Sequence, residues 1–193
     1  MLTWSPGDCE GEGARIAGLS QLPWEHGITV FWQRLLQLMA PQGLSVWSRA
    51  QRTLQPVEAW QTFRQWVERD NPRMAFNVAR GLIAGSMIGE GEREWAELMR
   101  QEARGRMAYL LPPGTILCLP TTPFPAPKKG LPLPVLNPLR ARISCLCSHG
   151  GLTGVPQVSL PGTEVDGLPV GLSIVGCRGS DATLVAVSRA MAG

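Results

Sequence analysis

Gly154-Val155-Pro156-Gln157-Val158-Ser159-Leu160-Pro161, Gly162-Thr163-Glu164-Val165-Asp166-Gly167 and Leu168-Pro169-Val170-Gly171-Leu172-Ser173-Ile174-Val175-Gly176 follow one another without a break. Val155–Pro161 and Leu168–Gly176 are β-prone runs, and Thr163–Gly167 between them reads as a turn with Asp166-Gly167 at its tip. Upstream, Ile116-Leu117-Cys118-Leu119 is a short apolar run bounded by Pro113-Gly114 and Pro120, the pattern of a strand buried on both faces. A proline-rich excursion from Pro123 to Pro138 separates it from a small-residue, helix-like stretch, Ala141 to Gly151. Loops of such length in compact enzymes are often functional. Downstream, Ser180 is placed to cap a final helix carrying Leu184, Val187 and Met191 on one face. Strand, loop, helix, strand, turn, strand, helix makes half of a mixed β-sheet core surrounded by helices, an α/β fold that is incomplete as it stands.

Working back towards the N-terminus, residues 53 to 110 are helical by periodicity. Pro56 opens a stretch in which Val57, Trp60, Phe63 and Trp66 or Val67 recur every three or four residues, with Glu58, Gln61, Arg64 and Glu68 between them. Met74 to Ile83 and Glu92 to Tyr109 follow the same period, the latter acidic at its start and basic at Arg104 and Arg106, which suits the helix dipole. Ile28 to Met39 has a helical pattern ended by Pro41-Gln42-Gly43, and the Gly-rich acidic start carries no structural signal. The chain therefore divides into a poorly defined segment, 1–52, and a domain part, 53–193.

Composition excludes several functional classes. With 193 residues and 44% hydrophobic content the chain can bury a core, and its net charge of +3 comes from dispersed cations, unlike the dense stripe of a nucleic-acid binder. Met1 to Ser20 has no apolar stretch of a leader, and no apolar run reaches the roughly 20 residues of a membrane span. Of the five cysteines, Cys9, Cys118, Cys145, Cys147 and Cys177, four lie among apolar or small residues and read as buried, reduced thiols of a cytoplasmic protein. Cys145-x-Cys147 lacks a second pair at ligand spacing, with only His26 and His149 as imidazoles, so no metal site is expected.

The order Leu119-Pro120-Thr121-Thr122-Pro123, Ala126-Pro127, Gly154-Val155-Pro156 with Pro161, Asp166-Gly167-Leu168-Pro169-Val170-Gly171-Leu172, Gly176 and Asp181 with Leu184 resembles the C-terminal half of the amidase signature family. The helical part is similar more loosely, through Gln55-Pro56-Val57-Glu58-Ala59-Trp60 and Asn77-Val78-Ala79-Arg80-Gly81. Read physically, these glycines and prolines are scaffold, shaping strand entry, the hairpin tip and a close backbone approach. The resemblance implies hydrolysis of carboxamide C–N bonds through an acyl-enzyme, with a Ser, cis-Ser, Lys core in a Gly-Gly-Ser-Ser-Gly-Gly type segment, and no cofactor. That segment does not occur in these 193 residues, and the two lysines, Lys128 and Lys129, lie in the proline-rich loop. No residue is carried over as catalytic, and the chain is expected to be inactive alone.

What the resemblance leaves is a pocket wall. Thr121, Thr122 and Phe124, with Ser144 and Cys147 from the segment Arg142 to His149, are the candidates to touch an amide substrate. Against each stands a plainer role: strand-end hydroxyls satisfying backbone for Thr121 and Thr122, and small packing groups for Ser144 and Cys147. His149 has no acidic or serine partner at motif spacing and reads as a surface or loop imidazole. Trp32, Trp60, Trp66 and Trp95 read as core or interface anchors. Two other readings stay open: a non-catalytic interaction module or split half that needs a partner chain or forms a homo-oligomer, and a cysteine enzyme using Cys145 or Cys147 with His149. No nucleic acid or membrane partner is expected.

Overall fold

The computed structural model describes Ala40 and residues 42–192. The Ile28–Met39 pattern, Cys9 and Trp32 lie outside the described residues. Within them the order is α1 (Leu44–Asp70), α2 (Phe76–Met87), α3 (Glu90–Leu110), β1 (Leu117–Pro120), α4 (Leu133–Thr153), β2 (Gln157–Val165), β3 (Leu168–Val175) and α5 (Asp181–Ala192).

The hairpin reads as expected. Asp166 at φ 52° and Gly167 at φ 74° supply the two left-handed residues of a two-residue turn, which locks Val165 opposite Leu168. A bulge between Leu160 and Thr163 absorbs the register shift at Pro161-Gly162. β3 is central: it pairs antiparallel with β2 on one side and with β1 on the other, Leu119 facing Ser173 and Ser159 facing Ser173. Alternation along β3 then sends Gly171, Ser173 and Val175 to one face and Val170, Leu172 and Ile174 to the other.

On the first face, Leu117, Leu119 and Val175 join Leu44, Trp47, Ala50 and Leu54 of α1, Ala96, Ala103 and Met107 of α3, and Cys145, Leu146 and Leu152 of α4 in one buried cluster. On the second, Ile174 and the α5 residue Leu184 are both essentially inaccessible. Helices on both faces of a sheet give the α/β class expected.

Several local expectations fail, each for a physical reason. Pro56 does not open its helix; it sits inside α1, which starts at Leu44 and runs across the 52/53 boundary. Burying the Leu44, Trp47 and Leu54 side chains is worth roughly 1.5–3 kcal/mol each, which outweighs the ~3 kcal/mol of one interior proline. β1 is buried on one face only, with Leu117 and Leu119 inward and Cys118 exposed, so Cys118 is not a buried thiol. Cys145 is buried, and Cys147 and Cys177 are half-buried. α4 begins within the proline-rich stretch, because the Pro132 carbonyl accepts the N–H of both Val135 and Leu136, and Pro134 falls where a helical N–H has no partner anyway. Ser180 does not cap α5 with its side chain; its hydroxyl donates to the Cys177 carbonyl at 2.7 Å. Leu184 is buried while Met191 is exposed, so the stripe on α5 is covered only near its start. In α1 the stripe beyond Val57 turns outward at Phe63 and Trp66, and the core tryptophan is Trp47. Trp95 packs partly against the core beneath the Arg49 guanidinium, 4.3 Å from its ring.

Candidate functional site

At the C-terminal end of β1 the chain leaves the sheet at Thr121, whose N–H still donates to the Gly171 carbonyl at 2.7 Å. That bond sets the Thr121 side chain on the helix-covered face, beside the Ser159 and Ser173 hydroxyls at 2.7 and 2.8 Å. Gln157 Nε2 donates to the same Ser173 oxygen at 2.8 Å. Gly171 leaves room for this: a Cβ there would lie 2.5 Å from Ser159 Oγ and 2.8 Å from Thr121 Oγ1.

Satisfying the buried donors gives the cluster a direction. Ser173 is fully buried and receives the Gln157 N–H, so its own proton goes to Thr121, the acceptor within reach. Thr121, having accepted that proton's bond, donates to Ser159. Ser159 is exposed and keeps its O–H free to donate outward. The result is a polarised chain of hydroxyls that ends in a donor at the surface, suited to a carbonyl or carboxylate oxygen.

α4 closes the other side. Cys147 Sγ–H donates to the Thr121 carbonyl at 3.2 Å, and the Arg142 guanidinium carbon lies 5.1 Å from the centre of the Phe124 ring. Thr122 Oγ1 donates to the Phe124 carbonyl at 2.9 Å, bracing the turn from within. Thr121, Thr122, Phe124 and Cys147 are thus brought together. Ser144 is drawn towards α1 instead, its hydroxyl 2.8 Å from that of the buried Ser48, which ties α4 to α1.

His149 is not at the surface. It lies in α4 at 1% exposure, on the same stripe as Cys145, Leu146, Leu152 and Thr153. Its Nδ1 is 2.9 Å from the Leu146 carbonyl, an acceptor, so the ring proton sits on Nδ1 and Nε2 is buried without a partner among the described residues. Burial pushes its pKa down, with the Leu146 bond opposing more weakly. Burial also pushes the Cys147 thiol up. With His149 bonded to its own helix and Cys147 to the Thr121 carbonyl, the cysteine–histidine pair needed for a thiolate nucleophile is not assembled.

Ser159, Ser173 and Gln157 stand in the two β-prone runs and are not among the expected wall residues. Their signal is the run of polar or missing side chains at Gln157, Ser159, Gly171 and Ser173, alternating on the face that otherwise buries Val175.

No family profile matches the chain. Amidase 1 of Oryza sativa subsp. japonica is 34% identical over 152 residues, which cover 78% of this chain and 35% of the rice protein. A solved structure described as an amidase superposes with a TM-score of 0.59 at 24% identity, over 84% of this chain and 41% of that one. The chain carries the C-terminal part of an amidase signature protein. A further relative of this amidase signature chain, a translocon protein of the outer membrane of chloroplasts from Pisum sativum, is 25% identical over 80% of this chain and 26% of its own length. The chain spans about a third of the two Amidase 1 relatives from rice and Arabidopsis thaliana, 35% and 34%. Among the described residues no helix is long and apolar enough to cross a membrane.

Proposed function

We propose that this chain supplies one wall of the substrate pocket of an amidase that hydrolyses carboxamide C–N bonds, with the nucleophilic Ser, cis-Ser, Lys core contributed by residues outside these 193. Four of the five wall residues meet at one place, and that convergence of Thr121, Thr122, Phe124 and Cys147 is the observation that carries the reading. The Ser159 outlet offers a donor to an amide carbonyl, and the wall itself contains no activated nucleophile. The chain alone therefore binds amides weakly and does not turn them over. Reading the transcript upstream of Met1 tests this: an in-frame Gly-Gly-Ser-Ser-Gly-Gly type segment supports it, and turnover of benzamide by the purified chain overturns it.

A second reading, a half that functions only with a partner chain, is favoured by the apolar side chains left bare. Phe76, Met87 and Tyr109 are each more than three-quarters exposed, and Phe63 and Trp66 stand outward on α1. Size exclusion separates the possibilities, since a second copy covering these faces doubles the apparent mass. We place the protein in the cytoplasm on its reduced, partly buried thiols. Cell fractionation tests that placement against the outer membrane of chloroplasts, the location the pea relative's name gives.

A further inference from the structure

We infer that the wall between the Thr121–Phe124 turn and α4 selects an amide that also bears a carboxylate, held by the Arg142 guanidinium. This rests on the amide-pocket reading above and names the substrate class of that same site.

Arg64, Arg93, Arg100 and Arg106 each meet a glutamate, and Arg69 meets Asp70. Three arginines, Arg49, Arg80 and Arg142, lie over an aromatic ring with no carboxylate partner among the described residues, and of these three Arg142 alone has a buried Nε without a hydrogen bond. Arg142 is nonetheless oriented: the cation lies over the Phe124 face, and Thr122 braces the Phe124 backbone. An oriented guanidinium without an anion is a ready fork for a carboxylate.

The surrounding sequence reinforces the charge. Between Glu102 and Glu164 there is no Asp or Glu at all, while Lys128, Lys129, Arg140 and Arg142 occupy the loop and α4. No acidic side chain of β1, the loop or α4 exists to neutralise this wall, so its field attracts an anion. The two recognition groups are tied to opposite ends of one turn, the hydroxyl chain at Thr121 and the stacked cation at Phe124. Three residue steps of chain span at most about 10 Å, a length suited to a short monoamide of a dicarboxylic acid.

The test titrates the full chain with succinamate and with the neutral diamide succinamide by calorimetry at low salt. Succinamate is expected to bind at least about tenfold more tightly, the discrimination of one charge-assisted fork. Arg142→Gln is expected to abolish the preference and Arg142→Lys to restore only part of it. Should Arg142→Gln fail to fold, Phe124→Leu, which removes the stacking platform, is expected to reduce the same ratio. Equal affinities for the two amides would overturn this inference and leave the amide-pocket reading standing. Absence of binding by either overturns both, and a preference that survives Arg142→Gln overturns the assignment to Arg142.

Discussion

Replacing Gly171 with alanine tests the hydroxyl chain where it is tightest. The new Cβ would stand 2.5 Å from Ser159 Oγ, 2.8 Å from Thr121 Oγ1 and 3.2 Å from Thr121 Cβ, all inside van der Waals contact. Ser159 is exposed and can rotate away, which breaks its bond to Thr121 at a cost of about 1 kcal/mol. Thr121 cannot follow easily, because its N–H is held by Gly171 and its carbonyl by Cys147; forcing it aside adds roughly 1–3 kcal/mol of overpacking. Against this, alanine reduces the freedom of the unfolded chain and returns about 0.4–1 kcal/mol. The net expectation is a loss of about 1–3 kcal/mol, seen in urea melts of the full chain as a midpoint lowered by roughly 1 M for a slope near 2 kcal/mol/M. Adding Ser159→Ala removes the closest collision, so the double variant is expected to recover part of the loss, with a coupling of at least about 0.5 kcal/mol. A Gly171→Ala protein that melts with the parent, or strict additivity with Ser159→Ala, would refute the packing described.

Gly85→Ala is expected to cost more, about 3 kcal/mol or above, because its Cβ would fall on the Pro56 carbonyl, which is backbone and has no rotamer to escape into; Gly81→Ala, with open space around it, serves as the control and is expected to gain up to about 1 kcal/mol. His149 makes stability depend on pH. Its folded pKa is depressed, so its contribution is full above the unfolded value of about 6.5 and is lost as pH falls through the folded value; His149→Leu is expected to flatten that acid limb in thermal melts. Burial pushes the Cys147 thiol up, so it is expected to react with iodoacetamide at pH 7.5 more slowly than free cysteine, accelerating above pH 9 by mass-spectrometric mapping.

What the sequence revealed depended on how local the signal was. The hairpin was plain because Asp166-Gly167 and its flanking runs act within a few residues. The candidate wall residues came from motif resemblance, and the structure gathers all but Ser144 at the Thr121–Phe124 turn. The start of α4 was hidden because Pro132, Pro134 and Pro138 look like loop, although Pro132 and Pro134 stand at the helix start, where a residue without an N–H is tolerated, and Pro138 alone of the three falls inside the helix. His149 was misplaced because flanking Ser148, Gly150 and Gly151 suggest a surface, while the helical stripe from Cys145 to Thr153 puts it inside. The hydroxyl chain joins Thr121 to Ser159 and Ser173, partners 38 and 52 residues away, and no short-range pattern carries such pairing.

The central claim is that this chain is wall and frame for an amidase and holds no nucleophile of its own. The direct measurement is ammonia release from benzamide and propionamide by the purified 193-residue chain, at high enzyme concentration and with Thr121→Ala, Ser144→Ala and Cys147→Ala variants alongside. The account predicts release at the rate of the buffer for every sample. Turnover by the parent chain that disappears in any one of these variants would contradict it.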